Sequence, residues 1–276
     1  MRTILHMSDI HFGKADHLVT DALLKMCIKT NLDLIVISGD LTQRARVSEF
    51  EEAQIFLKKL TASHLKILAI PGNHDIHPLY APLARARNAY DRYNKFIAPL
   101  APNHFVDNEV AVRGINTVRA SRFKGGHVSL QDVAVSSKWF NDQSKEVVRI
   151  LVTHHPLDLP AEFPKRKLAR HAERGISEFA QAHIDVYLSG HYHRSSAIST
   201  RERYSTGSYG AIAVQAGTIS TRSRGERQSF SLLHIERTRI RVTPYLWDPI
   251  RNDFSATNSF DFSLQNRQWV LLDDWY

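Results

Sequence analysis

Five short apolar runs punctuate the first 190 residues: RTILHMS (2–8), LDLIVIS (32–38), LKILAIP (65–71), VVRILVT (147–153) and IDVYLSG (184–190). Each is rich in β-branched residues and nearly continuous. That is the pattern of a strand buried on both faces, not of one with a wet side. Strands of this kind need cover above and below, and in an α/β chain helices supply it. No other feature of the sequence restricts the fold as much.

Segments of helical period lie between the runs. DHLVTDALLKMCIKTN (16–31) brings Leu18, Leu23, Met26 and Cys27 within one or two turns of each other. SEFEEAQIFLKKL (48–60) opens on Ser48 as a cap, has an acidic first turn and closes on lysines. Residues 82–100 and 168–183 also read as helices. The order is βαβαβα, a less regular middle, then βαβ. From about residue 195 the chain reads as strands, among them 195–202, 210–220, 229–235, 239–247 and 267–274. At 276 residues we expect one domain spanning 1–276.

The residues just past each run share one chemistry. After the first come Asp9 and His11; after the second, Asp40; after the third, Asn73, His74 and Asp75. After the fourth come His154 and His155, and after the fifth His191 and His193. In open α/β sheets the carboxyl ends of strands form one edge, where sites collect. Two carboxylates, an amide oxygen and four imidazoles, with His74 and His155 left over, are more than one ion needs. Two ions sharing a carboxylate would use them. The alternation of Asp9 with His11, and of His191 with His193, points each pair to one side. Mixed nitrogen and oxygen ligation suits Mn, Fe, Zn, Co or Ni rather than Ca or Mg.

Each motif alone has an ordinary explanation. A strand-end Asp is usually a helix cap, Gly-Asn usually a turn, and a lone His usually a satisfied core or surface residue. We give that reading to His6, His17, His64, His104, His127, His171, His183 and His234, and read His77 as a helix start. All five motifs in this order argue against coincidence.

Composition adds little more. The net charge of +8 suits an anionic substrate or nucleic acid. Two loop-like stretches, 161–170 and 221–229, are basic, and one of them is expected to meet a phosphate. No apolar run is long enough to cross a bilayer. The N-terminus leaves no room for a signal peptide, and with a single cysteine, Cys27, a cytoplasmic location is expected. Cys27 falls among helical apolar residues and reads as a buried structural thiol.

The series D-x-H, G-D, G-N-H-D, H-x-P and G-H-x-H, over residues 3–193, resembles the calcineurin-like metallophosphoesterases. The resemblance implies an α/β fold, a four-layer α/β/β/α sandwich, in which 1–194 carries the metal motifs and 195–276 supplies mainly strands completing the second sheet. It implies two transition metal ions, Mn, Fe or Zn. Asp9, His11, Asp40 and His193 would hold one; Asp40, Asn73, His154 and His191 would hold the other. His74 would face the substrate with Asn73 and assist departure of the leaving oxygen, steered by Asp75. Hydroxide bridging ions about 3.5–4 Å apart would attack phosphorus.

The stretch 214–230 is similar to bacterial cyclic-nucleotide-phosphodiesterase-like members. It implies a small phosphodiester substrate such as a 3′,5′-cyclic nucleotide, with Arg222 and Arg224 as candidate contacts. The C-terminal strands offer an edge for a dimer without requiring one, so a monomer or homodimer is expected. A nuclease, a nucleotide-sugar pyrophosphohydrolase (a subfamily with Arg in place of His74) and a non-catalytic scaffold on this fold are the alternatives.

Overall fold

The computed structural model describes residues 1–78, 81–121, 125–204 and 209–272. The first half runs β1 (Arg2–Met7), α1 (His17–Lys29), β2 (Leu34–Ile37), α2 (Val47–Ala62), β3 (Ile67–Ala69), α3 (Pro82–Asn88) and α4 (Asp91–Phe96). The chain continues through β4 (His104–Val106), β5 (Val110–Gly114), α5 (Leu130–Asn141), β6 (Val148–Val152), α6 (Ala172–Gln181), β7 (Val186–Ser189) and β8 (Ser196–Ser199). It ends with β9 (Ile212–Gln215), β10 (Ser229–Ile235), β11 (Arg239–Asp248), β12 (Asp253–Ala256), β13 (Phe260–Gln265) and β14 (Gln268–Leu271).

Among the described residues these strands form two mixed sheets. One has the order β14-β13-β11-β10-β1-β2-β3, with β12 beside β11; the other is β4-β5-β6-β7-β9-β8. All five apolar runs are strands, and alternate residues face different layers, as a period of two requires. On β1 and β2, Ile4, Leu34 and Val36 join the core between the sheets, with Val148, Ile150, Val152 and Leu188 from the other side. Leu5, Met7, Ile35 and Ile37 turn instead to α1 and α2, meeting Leu23, Cys27, Phe50 and Leu57. A third core lies between the second sheet and α5 and α6. This is the four-layer α/β/β/α sandwich.

The tail differs from expectation. Only β8 and β9 enter the second sheet, whereas β10 to β14 extend the first, β10 pairing antiparallel with β1. The second sheet is completed from the middle of the chain by β4 and β5, a stretch without clear period. The expected strand at 267–274 is β14, and its last two residues lie outside the described residues.

Helix ends also differ. α2 begins at Val47, with Ser48 already inside it. Its cap is the Glu49 carboxylate, which accepts the backbone N–H groups of Arg44 at 2.7 Å and Arg46 at 3.2 Å. The expected single helix over 82–100 is two, α3 and α4. The Ala89 carbonyl accepts the His77 N–H at 3.3 Å, and His77 Nε2 lies 2.8 Å from Asp91 at the start of α4. His77 is thus a buried brace at this break, not a helix start. Cys27 is fully buried, and burial pushes its thiol up to about 12, as befits a structural residue. Among the described residues no helix is long and apolar enough to cross a membrane.

Candidate metal centre

The segments after β1, β2 and β3 leave the first sheet, and those after β6 and β7 leave the second. All five turn toward one another at the same end of the sandwich. The turns are tight: Asp9, His11, Asp40, His191 and His193 all have positive φ, between 51° and 80°. Left-handed backbone at residues other than glycine is costly, and Asp and His tolerate it better than most. Five such residues in one cluster mark a place where side-chain direction matters more than local comfort. Gly72 and Gly190 are there for space: a Cβ would sit 2.1 Å from Asp40 Oδ1 at the first and 1.9 Å from Ser8 Oγ at the second.

Each carboxylate is held by one oxygen. Asp9 Oδ2 accepts the His191 N–H and Asp40 Oδ1 accepts the His74 N–H, both at 2.8 Å. The free oxygens face inward. Asp40 Oδ2 lies 3.8 Å from His11 Nε2 and 3.4 Å from His154 Nε2. Asp9 Oδ1 is 3.1 Å from His193 Nε2, and within the described residues it is a buried atom without a hydrogen-bond partner. Such an atom is costly unless something else satisfies it.

Three imidazoles are oriented in the same way. The Nδ1 atoms of His11, His154 and His193 lie 3.2, 2.8 and 2.6 Å from the carbonyls of Thr42, Ser38 and Arg222. A carbonyl only accepts, so Nδ1 carries a proton, and in the neutral ring Nε2 is left with its lone pair facing inward. His191 is reversed, with Nδ1 3.3 Å from His154 Nε2. Asn73 Oδ1 lies 3.2 Å from His154 Nε2, and the Nε2 atoms of His11 and His193 are 3.3 Å apart.

These distances fit ligands around a common centre. Bonds of about 2.1 Å put neighbouring ligands about 3.0–3.4 Å apart. Asp9, His11 and His193 form one cluster, and Asp9, Asp40 and His154 another. The seven residues expected from the sequence are therefore together, and the orphaned Asp9 oxygen and lone pairs from two carboxylates, an amide and imidazoles suit a transition metal pair.

The electrostatics agree with a cationic occupant. Burial works against charge on Asp9, yet His193 beside it holds the carboxyl below the usual range. Burial also opposes charge on Asp40, and His154 and His74 hold it well below that range. Burial pushes His11 down to about 4 and His191 down to about 3, leaving both neutral and able to ligate. His154 is driven up to about 9 against its burial by Asp40, so a proton there offsets the carboxylate charge that a cation would otherwise neutralise.

Asp75 departs from its expected place. Its carboxylate accepts the N–H groups of Leu41, Thr42 and Gly72, at 3.1, 2.7 and 2.9 Å, and the Thr42 hydroxyl at 2.9 Å. Burial and the nearby Asp40 push it up to about 6. It ties the G-N-H-D turn to the segment after β2 and does not steer His74. The His74 ring is instead held through Nδ1, 2.7 Å from the Gln43 carbonyl. A backbone acceptor leaves no signature in a sequence, so nothing in the motif could have shown it. His155 packs against His191 with the rings tilted by 48° and their centroids 4.5 Å apart, and its Nδ1 lies 2.9 Å from Thr117 Oγ1.

The cluster opens into a cleft of about 300 Å³, lined by Asn73, His74, His155, His191 and both expected arginines, Arg222 and Arg224. Arg222 Nη1 lies 3.3 Å from His74 Nε2 and 3.3 Å from His11 Nε2. Arg166 and Lys167, from the other basic stretch, line the same cleft, so both stretches reach it.

Residues 2–195 match the family model described as calcineurin-like phosphoesterase. A probable cyclic nucleotide phosphodiesterase from Vesicomyosocius okutanii subsp. Calyptogena okutanii (strain HA) is 21% identical over 203 residues, which are 70% of this chain and 79% of that protein. Purple acid phosphatase PPD1 from yellow lupin (Lupinus luteus) seeds has a similar fold, with a TM-score of 0.70 at 12% identity over 95% of this chain. The chain spans only about half, 53%, of that phosphatase. A dimetal phosphatase from Danio rerio has a TM-score of 0.61 at 12% identity, over 95% of this chain and 98% of that one.

Proposed function

The chain belongs to the calcineurin-like phosphoesterase family, and from that premise we propose that it is a two-metal phosphodiesterase acting on a small nucleotide diester. A 3′,5′-cyclic nucleotide is the first candidate. The observation that carries this reading is Asp40 Oδ2, which lies between His11 Nε2 and His154 Nε2 at 3.8 and 3.4 Å. An oxygen so placed would serve two centres. Asp9, His11, Asp40 and His193 would hold one cation, and Asp40, Asn73, His154 and His191 the other. A bound cation pair supplies Lewis acidity and makes water acidic enough to attack at neutral pH.

The chain's own groups would do the rest. Carbonyls at Nδ1 of His11, His154 and His193 fix each ring in its ligating tautomer. The Arg222 guanidinium faces the cleft beside His74 and would take a phosphoryl oxygen by a charge-assisted hydrogen bond. Neutral His74 carries its proton on Nδ1, against Gln43, so it would donate from Nε2 to the departing oxygen only as the imidazolium. Asn73 would contact substrate as well as metal. The cyclic nucleotide as substrate is supported by the description of the Vesicomyosocius protein and by the cationic cleft.

The test is metal analysis of the purified chain, then turnover of bis(p-nitrophenyl) phosphate and 3′,5′-cyclic AMP after loading with Mn, Fe or Zn. Two equivalents of metal with hydrolysis of both diesters is the expected result. Activity confined to monoesters would sink the diester assignment. Absence of both metal and turnover would favour a scaffold on this fold.

A further inference from the structure

The cleft over the metal centre does not end at its own wall. Gly125, Gly126, Arg166 and Leu168 line it and also line a second pocket of about 460 Å³. Lys165, Arg170 and His171 bring further basic character to that pocket. Its acidic group is Glu173, which Lys165 meets at 3.5 Å in an exposed pair. Among the described residues no carboxylate forms an ion pair with Arg166, Lys167, Arg170, Arg222 or Arg224.

Tyr192 holds this wall in place. It stands between His191 and His193, and its hydroxyl donates to the Lys167 carbonyl at 2.7 Å. The Lys167 ammonium lies over its ring at 5.1 Å, and the Arg224 guanidinium approaches the same ring at 5.9 Å. The G-H-x-H turn is thereby tied to the basic segment. Cations crowded along one groove repel each other, and a bound anion relieves that repulsion. A cyclic mononucleotide has one phosphate, which the metal centre and Arg222 would occupy, leaving the outer charge without an anion.

Resting on the phosphodiesterase reading above, we infer that the second pocket seats a second phosphate. Among linear nucleotide diesters, the preferred substrate is then one with a phosphate one nucleoside away from the scissile bond. Arg166, shared by the two pockets, lies between the two anions, and Lys165 and Arg170 hold the outer one.

The test compares diadenylate with and without its 5′-phosphate, pApA and ApA, on the metal-loaded chain. The wild type is expected to show kcat/KM for pApA about tenfold or more above that for ApA, since a charge-assisted contact is worth that much. In the Lys165→Ala/Arg170→Ala double variant, checked for fold by circular dichroism, the ratio should fall to within about twofold of unity. Equal values in the wild type, or a ratio the double variant does not change, overturn the inference. If the loaded chain cleaves neither compound, equilibrium binding decides. Tighter binding of pApA that the double variant abolishes would uphold the pocket, and equal affinities would overturn it; the phosphodiesterase reading stands or falls separately, on bis(p-nitrophenyl) phosphate and cyclic AMP.

Discussion

The Nδ1 atom of His74 lies 2.7 Å from the carbonyl oxygen of Gln43, and this backbone group, not the Asp75 carboxylate, sets the direction of the ring. His74→Ala should therefore leave metal content unchanged and act on departure of the leaving group. On an alkyl diester with a poor leaving group we expect a loss of about 100-fold or more in kcat, and on bis(p-nitrophenyl) phosphate a much smaller one. Asp75→Asn, which disturbs a turn and not the ring, should lower both alike and reduce the melting temperature. Equal losses for both esters in His74→Ala would remove the acid role.

Asp40 offers its inward oxygen to both proposed centres. Asp40→Ala is expected to bind less than about a tenth of the wild-type metal at either one, because a shared ligand cannot be lost from one centre alone. Inductively coupled plasma analysis checks this. A variant that keeps one full equivalent would show that Asp40 does not bridge.

A Cβ on Gly72 would sit 2.1 Å from Asp40 Oδ1. Gly72→Ala must displace that carboxylate or the turn after β3, since side chains packed at this density have no slack. We expect metal affinity to fall about tenfold or more with secondary structure intact by circular dichroism. Wild-type affinity in this variant would mean that the approach is looser than the geometry requires.

His6 is fully buried against Ser38, with Nε2 2.9 Å from the Ser38 hydroxyl, and burial pushes it down to about 3 from an ordinary 6.5. The unfolded chain takes up a proton at this residue below about pH 6.5 and the folded chain does not. Its effect on stability is thus absent above that pH and grows unfavourable as pH falls toward about 3, by about 1.4 kcal/mol per pH unit. His6→Leu should flatten the denaturation midpoint against pH between 6 and 4. An unchanged slope would show that His6 is protonated in the folded state.

The local patterns carried far. The apolar runs showed five strands because residues buried on both faces leave continuous apolar sequence. The residue types after them offered the candidate donor set, since only certain side chains present lone pairs to a metal. Short strands such as β4 and β5, with no clear period, did not show themselves, and neither did the break between α3 and α4. β5 and the break are settled by partners more than ten residues away, Val148 to Val152 for the strand and His77 for the break, and β4 follows by pairing with β5.

What the sequence determined by itself was composition at the site: which side chains end which strands. The tertiary structure decided how they face. Two sheets, not one, bring their strand ends together, with β1, β2 and β3 on one side and β6 and β7 on the other. Backbone carbonyls choose the tautomers of His11, His154 and His193, and another holds His74. The return of β10 to pair with β1 carries Arg222 over the cleft between them. Side-chain identity is written residue by residue, whereas direction and distance come from contacts between segments far apart in the chain, and no local stretch encodes those.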